Sequence, residues 1–141
     1  MNQSDFKASK AIQVTLWVTA VGIVAYWISY FTDGTVHSTA DSCYHIFQRN
    51  FPAPDGMIAI CAIATAVGLG KAREWSIYTG MTAVGGLLFL ALIDISYNVW
   101  NDMYNGMHGP MVMETVINIF CLSVSAIITR YLWVNREHLR S

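Results

Sequence analysis

Charge is what this chain has least of. Charged residues fill 12% of its 141 positions, against about 25% in an ordinary soluble domain. The net charge is −1, so the basic footprint of a nucleic-acid binder is missing. Cysteine is scarce and scattered. Cys43, Cys61 and Cys121 form no C-x-x-C pair and no metal spacing, and their odd number argues against a disulfide framework. Cys61 and Cys121 lie inside apolar segments, where a thiol acts as a small hydrophobe. No nucleophile–base pair and no phosphate-binding loop stands out. Proline occurs three times, as Pro52, Pro54 and Pro110, each at the edge of an apolar segment.

What is abundant is apolar surface, at 55% of residues. It falls into four segments. Ala11 to Thr32 is uncharged between Lys10 and Asp33 and long enough to cross a hydrocarbon core of about 30 Å. Gly56 to Gly70 is shorter and needs Asp55 and the prolines before it to reach an interface. Trp75 to about Trp100 and Pro110 to about Trp133 complete the set. Ser38-Thr39-Ala40 resembles a signal-peptide cleavage site, but signal cores run to about 7–15 residues. The first segment is longer and is expected to be a retained helix.

Basic residues set the expected orientation. Lys7, Lys10, Lys71, Arg73, Arg130, Arg136 and Arg140 fall at the N-terminus, the second connection and the C-terminus, and Arg49 alone falls opposite. The positive-inside rule then puts both termini in the cytoplasm and the 33–54 and 101–109 connections outside. Trp75 and Trp133 at inner ends, with Trp27 and Trp100 at outer ends, match an aromatic belt. Backbone groups in lipid must be satisfied within each segment, so four spans mean four helices. The expected fold is all-α: an up-down-up-down bundle of transmembrane helices over 10–32, 54–70, 75–101 and 110–134. It forms a single integral membrane domain over 1–141, in the plasma (cell inner) membrane. Ala62, Ala66 and Gly70, and likewise Thr82 and Gly86, are spaced for close helix packing. The same stripes suit a homo-oligomer or a larger membrane complex. Within the first outer loop, His37, Asp41, His45 and Arg49 recur every four residues, which predicts a short interfacial helix with one polar face.

Asp94 breaks a run of nineteen uncharged residues, Trp75 to Ile93, and Asn98 and Asp102 follow it at four-residue steps. An ionisable group in a membrane span marks a site or a buried partner. Nineteen residues at about 1.5 Å each carry the chain roughly 28 Å, which sets Asp94 near the outer boundary instead of the midplane. The same count brings Asp55 and Glu114 to that level, at the starts of the second and fourth segments. Asn118 follows Glu114 by one turn, and Tyr26, Tyr30 and Asp33 come from the first helix. Convergence of these faces predicts an outer mouth built from Asp55, Asp94, Asn98, Glu114 and Asn118, with Tyr97 and Tyr30 beside it. The helix dipole accounts for a carboxylate in a first turn, the position expected for Asp55 and Glu114. It opposes Asp94, which sits near a C-terminal end.

Phe51-Pro52-Ala53-Pro54-Asp55 together with Asp94-Ile95-Ser96-Tyr97-Asn98 resembles a pattern in small uncharacterised prokaryotic four-helix membrane proteins. The resemblance implies that Asp55, Asp94, Tyr97 and Asn98 belong together, and it implies no reaction.

Three uses of such a mouth compete. The carboxylates can fix the bundle through hydrogen bonds, or bind a hard cation. They can also work as acid and base on a small molecule. His37, His45 and His108 are the candidate transition-metal ligands, but they lack a recognised spacing. No cofactor can be named. The leading expectation is an integral membrane binding or accessory protein with an outward-facing acidic and polar site, acting alone or as a subunit of a complex. The alternative is an enzyme or carrier that handles a small amphiphilic molecule through Asp94 with Asp55 and Glu114.

Overall fold

A computed structural model describes residues 8–106 and 108–140. Lys7, one of the bases behind the expected orientation, lies outside the described residues. The described chain is helical and contains no strand. Its helices are α1 (Lys10–Thr32), α2 (Ser42–Gln48), α3 (Pro52–Gly70), α4 (Trp75–Trp100) and α5 (Gly109–Arg140), with a 3-10 turn over Met103–Gly106. The four long ones, α3 counted together with α2, are long and apolar enough to cross a membrane.

Their outer surfaces explain why. Val14, Val21, Ile28 and Phe31 on α1, Phe89 and Leu92 on α4, and Val116, Ile119 and Ile127 on α5 are all exposed. Apolar surface of this extent and continuity is a liability in water and normal against lipid.

Small residues carry the helix contacts. Ala62 and Ala66 of α3 are buried, and a Cβ added to Gly86 of α4 would stand 2.5 Å from Ile58 Cγ1. Gly80 is as tight, since a Cβ there would stand 2.5 Å from Leu132 Cδ1. Thr82, expected on the packing face of α4, points outward and bonds back to the Tyr78 carbonyl. The buried row of α4 runs instead through Gly80, Ala83, Val84, Leu87 and Ala91.

The helix ends differ from expectation in two places. Pro52 and Pro54 both sit in the first turn of α3, where a missing N–H costs nothing. At the other end of the chain, α5 continues beyond Trp133 to Arg140, where Leu139 is buried with Ala8 and Ile12 of the N-terminal segment.

Contacts along the bundle run α1 on α3, α3 on α4 and α4 on α5. α1 and α5 do not close the ring by comparable packing. They are tied at one end by Tyr131, whose hydroxyl accepts the Ser9 N–H at 3.0 Å. Arg140 pairs with Glu74 at 3.5 Å near that same end of α5. At the opposite end the connection from α1 to α2 bridges the gap. It turns at Gly34 (φ +66°), where a Cβ would also lie 2.9 Å from the His37 ring. Any other residue would be strained there twice over. Asp33 braces the turn by accepting the Thr35 N–H at 2.9 Å and the Ser29 and Thr35 hydroxyls. These donors, the Thr35 backbone amide first, hold the Asp33 carboxyl below the usual aspartate range.

Candidate functional site

Between the two ties, α1 and α5 form the walls of a cleft of about 590 Å³, floored by α3 and α4. Its size is that of an ordinary small-molecule site. The mouth lies between Val18 and Val116, on the apolar perimeter of the bundle, and both residues are exposed. Ile23, Leu87 and Ile117 continue the apolar wall inward. Towards the Gly34 turn the lining becomes polar, with Tyr26, Gln48, Asp55, Asp94, Glu114 and Asn118. Asp55, Asp94 and Glu114 thus line a single cavity.

The three carboxylates are held in different ways. Glu114, 4% exposed, takes three neutral donors. Asn98 Nδ2 donates to Oε1 at 2.6 Å, while the Tyr44 hydroxyl, at 3.1 Å, and the Ser38 hydroxyl both donate to Oε2. The first-turn argument does not apply to it. α5 begins at Gly109, and its first turn contains no acidic residue. Side-chain donors, and not the helix dipole, satisfy this carboxylate. In doing so it fastens α4, α2 and the preceding loop to α5.

Asp55 does lie in the first turn of α3. Its Oδ2 accepts the Trp27 indole N–H at 2.7 Å, which stitches α3 to α1. Its Oδ1 is buried without a partner. Asp94 has no hydrogen bond or ion pair among the described residues and faces the cleft. Asn118, 3% exposed, lines the same cavity with an unpartnered Nδ2. Asn98 stands behind Glu114 and outside the lining, and its Oδ1 has no partner.

The expected aromatic members turn elsewhere. Tyr97 stacks on Phe47 with centroids 4.3 Å apart and planes at 8°, and lies 6.2 Å from the Tyr44 ring. It holds α2 against α4. The Tyr30 hydroxyl meets His45 Nδ1 at 3.1 Å, and no carboxylate. His37 packs edge-on against the same tyrosine ring, with centroids 4.5 Å apart, and its Nε2 lies 3.1 Å from the Tyr30 carbonyl oxygen.

The four-residue polar row of the connection between α1 and α3 is only partly helical. α2 starts at Ser42, so Asp41 acts as its N-cap and accepts the Cys43 N–H, while His37 precedes the helix altogether. His37 and His45 still come together, with ring centroids 4.6 Å apart. His108 is exposed at the start of α5. Among the described residues, no three His, Cys, Asp or Glu side chains are grouped to hold a metal ion.

Trp27, Ser38 and Tyr44 are the site members that spacing does not reveal. Trp27 reads in the sequence as a belt residue, and Ser38 as part of a small-residue triplet. Trp27 is aimed inward by the facing of α1 on α3, and Ser38 and Tyr44 are placed by the docking of α2 and the loop before it against Glu114. The chain matches no protein-family model, no curated protein and no solved structure.

Proposed function

We propose that this chain is a multi-pass membrane protein that binds a small amphiphilic molecule in the cleft between α1 and α5. The observation that carries this reading is the gradient inside the cleft. It opens through exposed apolar side chains on the lipid-facing perimeter and ends at Asp94 and at Asp55 and Asn118, the last two each with a buried polar atom that has no partner. A molecule entering sideways from the bilayer would bury its tail along Ile23 and Ile117 and bring its polar head to those groups. Burial at roughly 25 cal/mol per Å² of apolar surface supplies the affinity, and the polar end supplies orientation.

The helices alternate in direction in this reading, with the polar end facing outward and the termini in the cytoplasm. The bases support it. Lys71 and Arg73 lie in the α3–α4 turn beside Glu74, which pairs with Arg140 at the end of α5. Arg49, at the end of α2, belongs to the opposite end.

Catalysis or transport by the same cleft is the second reading, favoured by Asp55 and Asp94 lining a single cavity. Glu114 lines the same cleft, with three donors from the surrounding structure on its carboxylate.

Gly22 provides the test. It lines the cleft, and an added Cβ there meets nothing within 4 Å. Gly22→Phe should therefore fill the mouth without disturbing the core. Wild-type protein in lipid nanodiscs is expected to take up an added single-chain amphiphile in one-to-one stoichiometry by native mass analysis, and Gly22→Phe to lose that uptake. Wild-type protein that takes up nothing, or equal uptake by both proteins, overturns the reading.

A further inference from the structure

The chemistry of the head group follows from the atoms left over at the polar end, given that the cleft is an amphiphile site. Glu114 has its acceptor capacity committed to Asn98, Tyr44 and Ser38. Asp55 and Asp94 do not. One oxygen of Asp55 is bound to Trp27 and the other is buried with no partner, while Asp94 receives no hydrogen bond among the described residues. Both line the cleft, whose wall contains no Lys, Arg or His among the described residues. The ion pairs among the described residues, Arg136–Glu137 and Arg140–Glu74, lie at the far end of α5.

A carboxylate removed from water without a counter-charge costs several kcal/mol, so this end of the cleft favours an occupant that supplies positive charge and N–H donors. Asn118 adds an independent requirement. Its Nδ2 is a buried donor at the same cavity wall with nothing to donate to, and a stranded donor of this kind costs about 1–3 kcal/mol. The occupant therefore carries an oxygen acceptor close to its cation.

We infer that the cleft selects single-chain amphiphiles whose head is a protonated amine with a neighbouring hydroxyl. The ammonium group donates to Asp55 Oδ1 and to Asp94, the hydroxyl oxygen accepts from Asn118, and the alkyl chain runs out between α1 and α5. A neutral head leaves the carboxylates uncompensated, and an anionic head meets them as a like charge.

Three matched probes separate these cases: 1-amino-2-dodecanol, 1,2-dodecanediol and 2-hydroxydodecanoate, each titrated into full-length protein in phosphatidylcholine nanodiscs. Binding is read by native mass analysis and by the shift in thermal midpoint. The amino alcohol is expected to bind at least tenfold more tightly than the diol, and the hydroxy acid to be the weakest of the three. Asp94→Asn should weaken the amino alcohol at least tenfold and so remove most of its advantage over the diol. Asp55→Asn, which keeps an oxygen for Trp27, should do the same and serves if the Asp94 variant does not fold. Equal affinity for amino alcohol and diol overturns the amine assignment while the amphiphile site stands. Failure of all three probes to bind overturns both. Unchanged amino-alcohol binding in both Asn variants also overturns the assignment.

Discussion

Replacing Glu114 with alanine tests the central tie of the structure. The carboxylate receives Asn98 Nδ2 at 2.6 Å, the Tyr44 hydroxyl at 3.1 Å and the Ser38 hydroxyl, and all four residues are buried. Alanine removes the acceptor and leaves three donors facing a void. A buried donor without a partner costs about 1–3 kcal/mol, and rotation of the two hydroxyls recovers part of this, so a total of about 3–6 kcal/mol is expected. Asn98 cannot recover its share, because its Oδ1 is already unpartnered. The loss is large beside a total stability of about 5–15 kcal/mol.

Glu114→Gln separates geometry from charge. Its amide oxygen can still accept from Asn98, and its NH2 can donate to Ser38 and Tyr44 once their hydroxyls turn. The charge assistance is lost and the two hydroxyl hydrogens give up this acceptor, at about 1–3 kcal/mol together. Reversible unfolding in mixed micelles, followed by circular dichroism, measures both variants against wild type. Limited proteolysis between Gly34 and Asp41 should accelerate for alanine and hardly at all for glutamine. If the two variants are equally stable within about 0.5 kcal/mol, the three-donor account of Glu114 is wrong.

Other substitutions test separate contacts. Gly86→Ala forces a methyl group to within 2.5 Å of Ile58 and should destabilise the α3–α4 interface by about 1–3 kcal/mol. Gly85→Ala next to it meets open space and should be neutral or stabilising by up to about 1 kcal/mol, so equal effects at the two positions would refute the packing. Trp27→Phe keeps the ring against Tyr30 but leaves both Asp55 oxygens unpartnered. A loss of about 1–3 kcal/mol is expected in the same unfolding assay, and Asp55→Asn in that background should restore part of it. Asp33 titrates below the usual aspartate range, so its contribution is present above the unfolded-state pKa and fades as pH falls through the lowered folded one. Carbon-detected NMR of the Asp33 carboxyl should show that low midpoint, and Thr35→Ala should raise it.

Much of the helical framework is legible without tertiary information. Helix spans follow from local chemistry: an uninterrupted apolar run in lipid has no way to satisfy its backbone except within itself. Ala11–Thr32 and Trp75–Trp100 therefore appear as α1 and α4 almost to the residue. The convergence of Asp55, Asp94 and Glu114 is also accessible, because rise per residue converts sequence position into depth. Depth does not supply direction around the axis, and that is where the sequence reading loses detail. Thr82 is spaced for the inside of the bundle and faces out. Tyr30 and Tyr97 share the level of the carboxylates but turn to His45 and Phe47.

The sequence by itself determined that four apolar helices exist and that their carboxylates gather at one level, since both depend on spacing along single segments. Tertiary structure alone decided that α1 and α5 stand apart to leave a cleft, and that Glu114 is tied down while Asp55 and Asp94 keep unmet capacity. Those outcomes depend on donors brought in from Trp27, Ser38, Tyr44 and Asn98. Two of these, Ser38 and Tyr44, are delivered by the segment that links α1 to α3, whose four-residue period foretells a short helix but not the way that helix and the loop before it dock against Glu114.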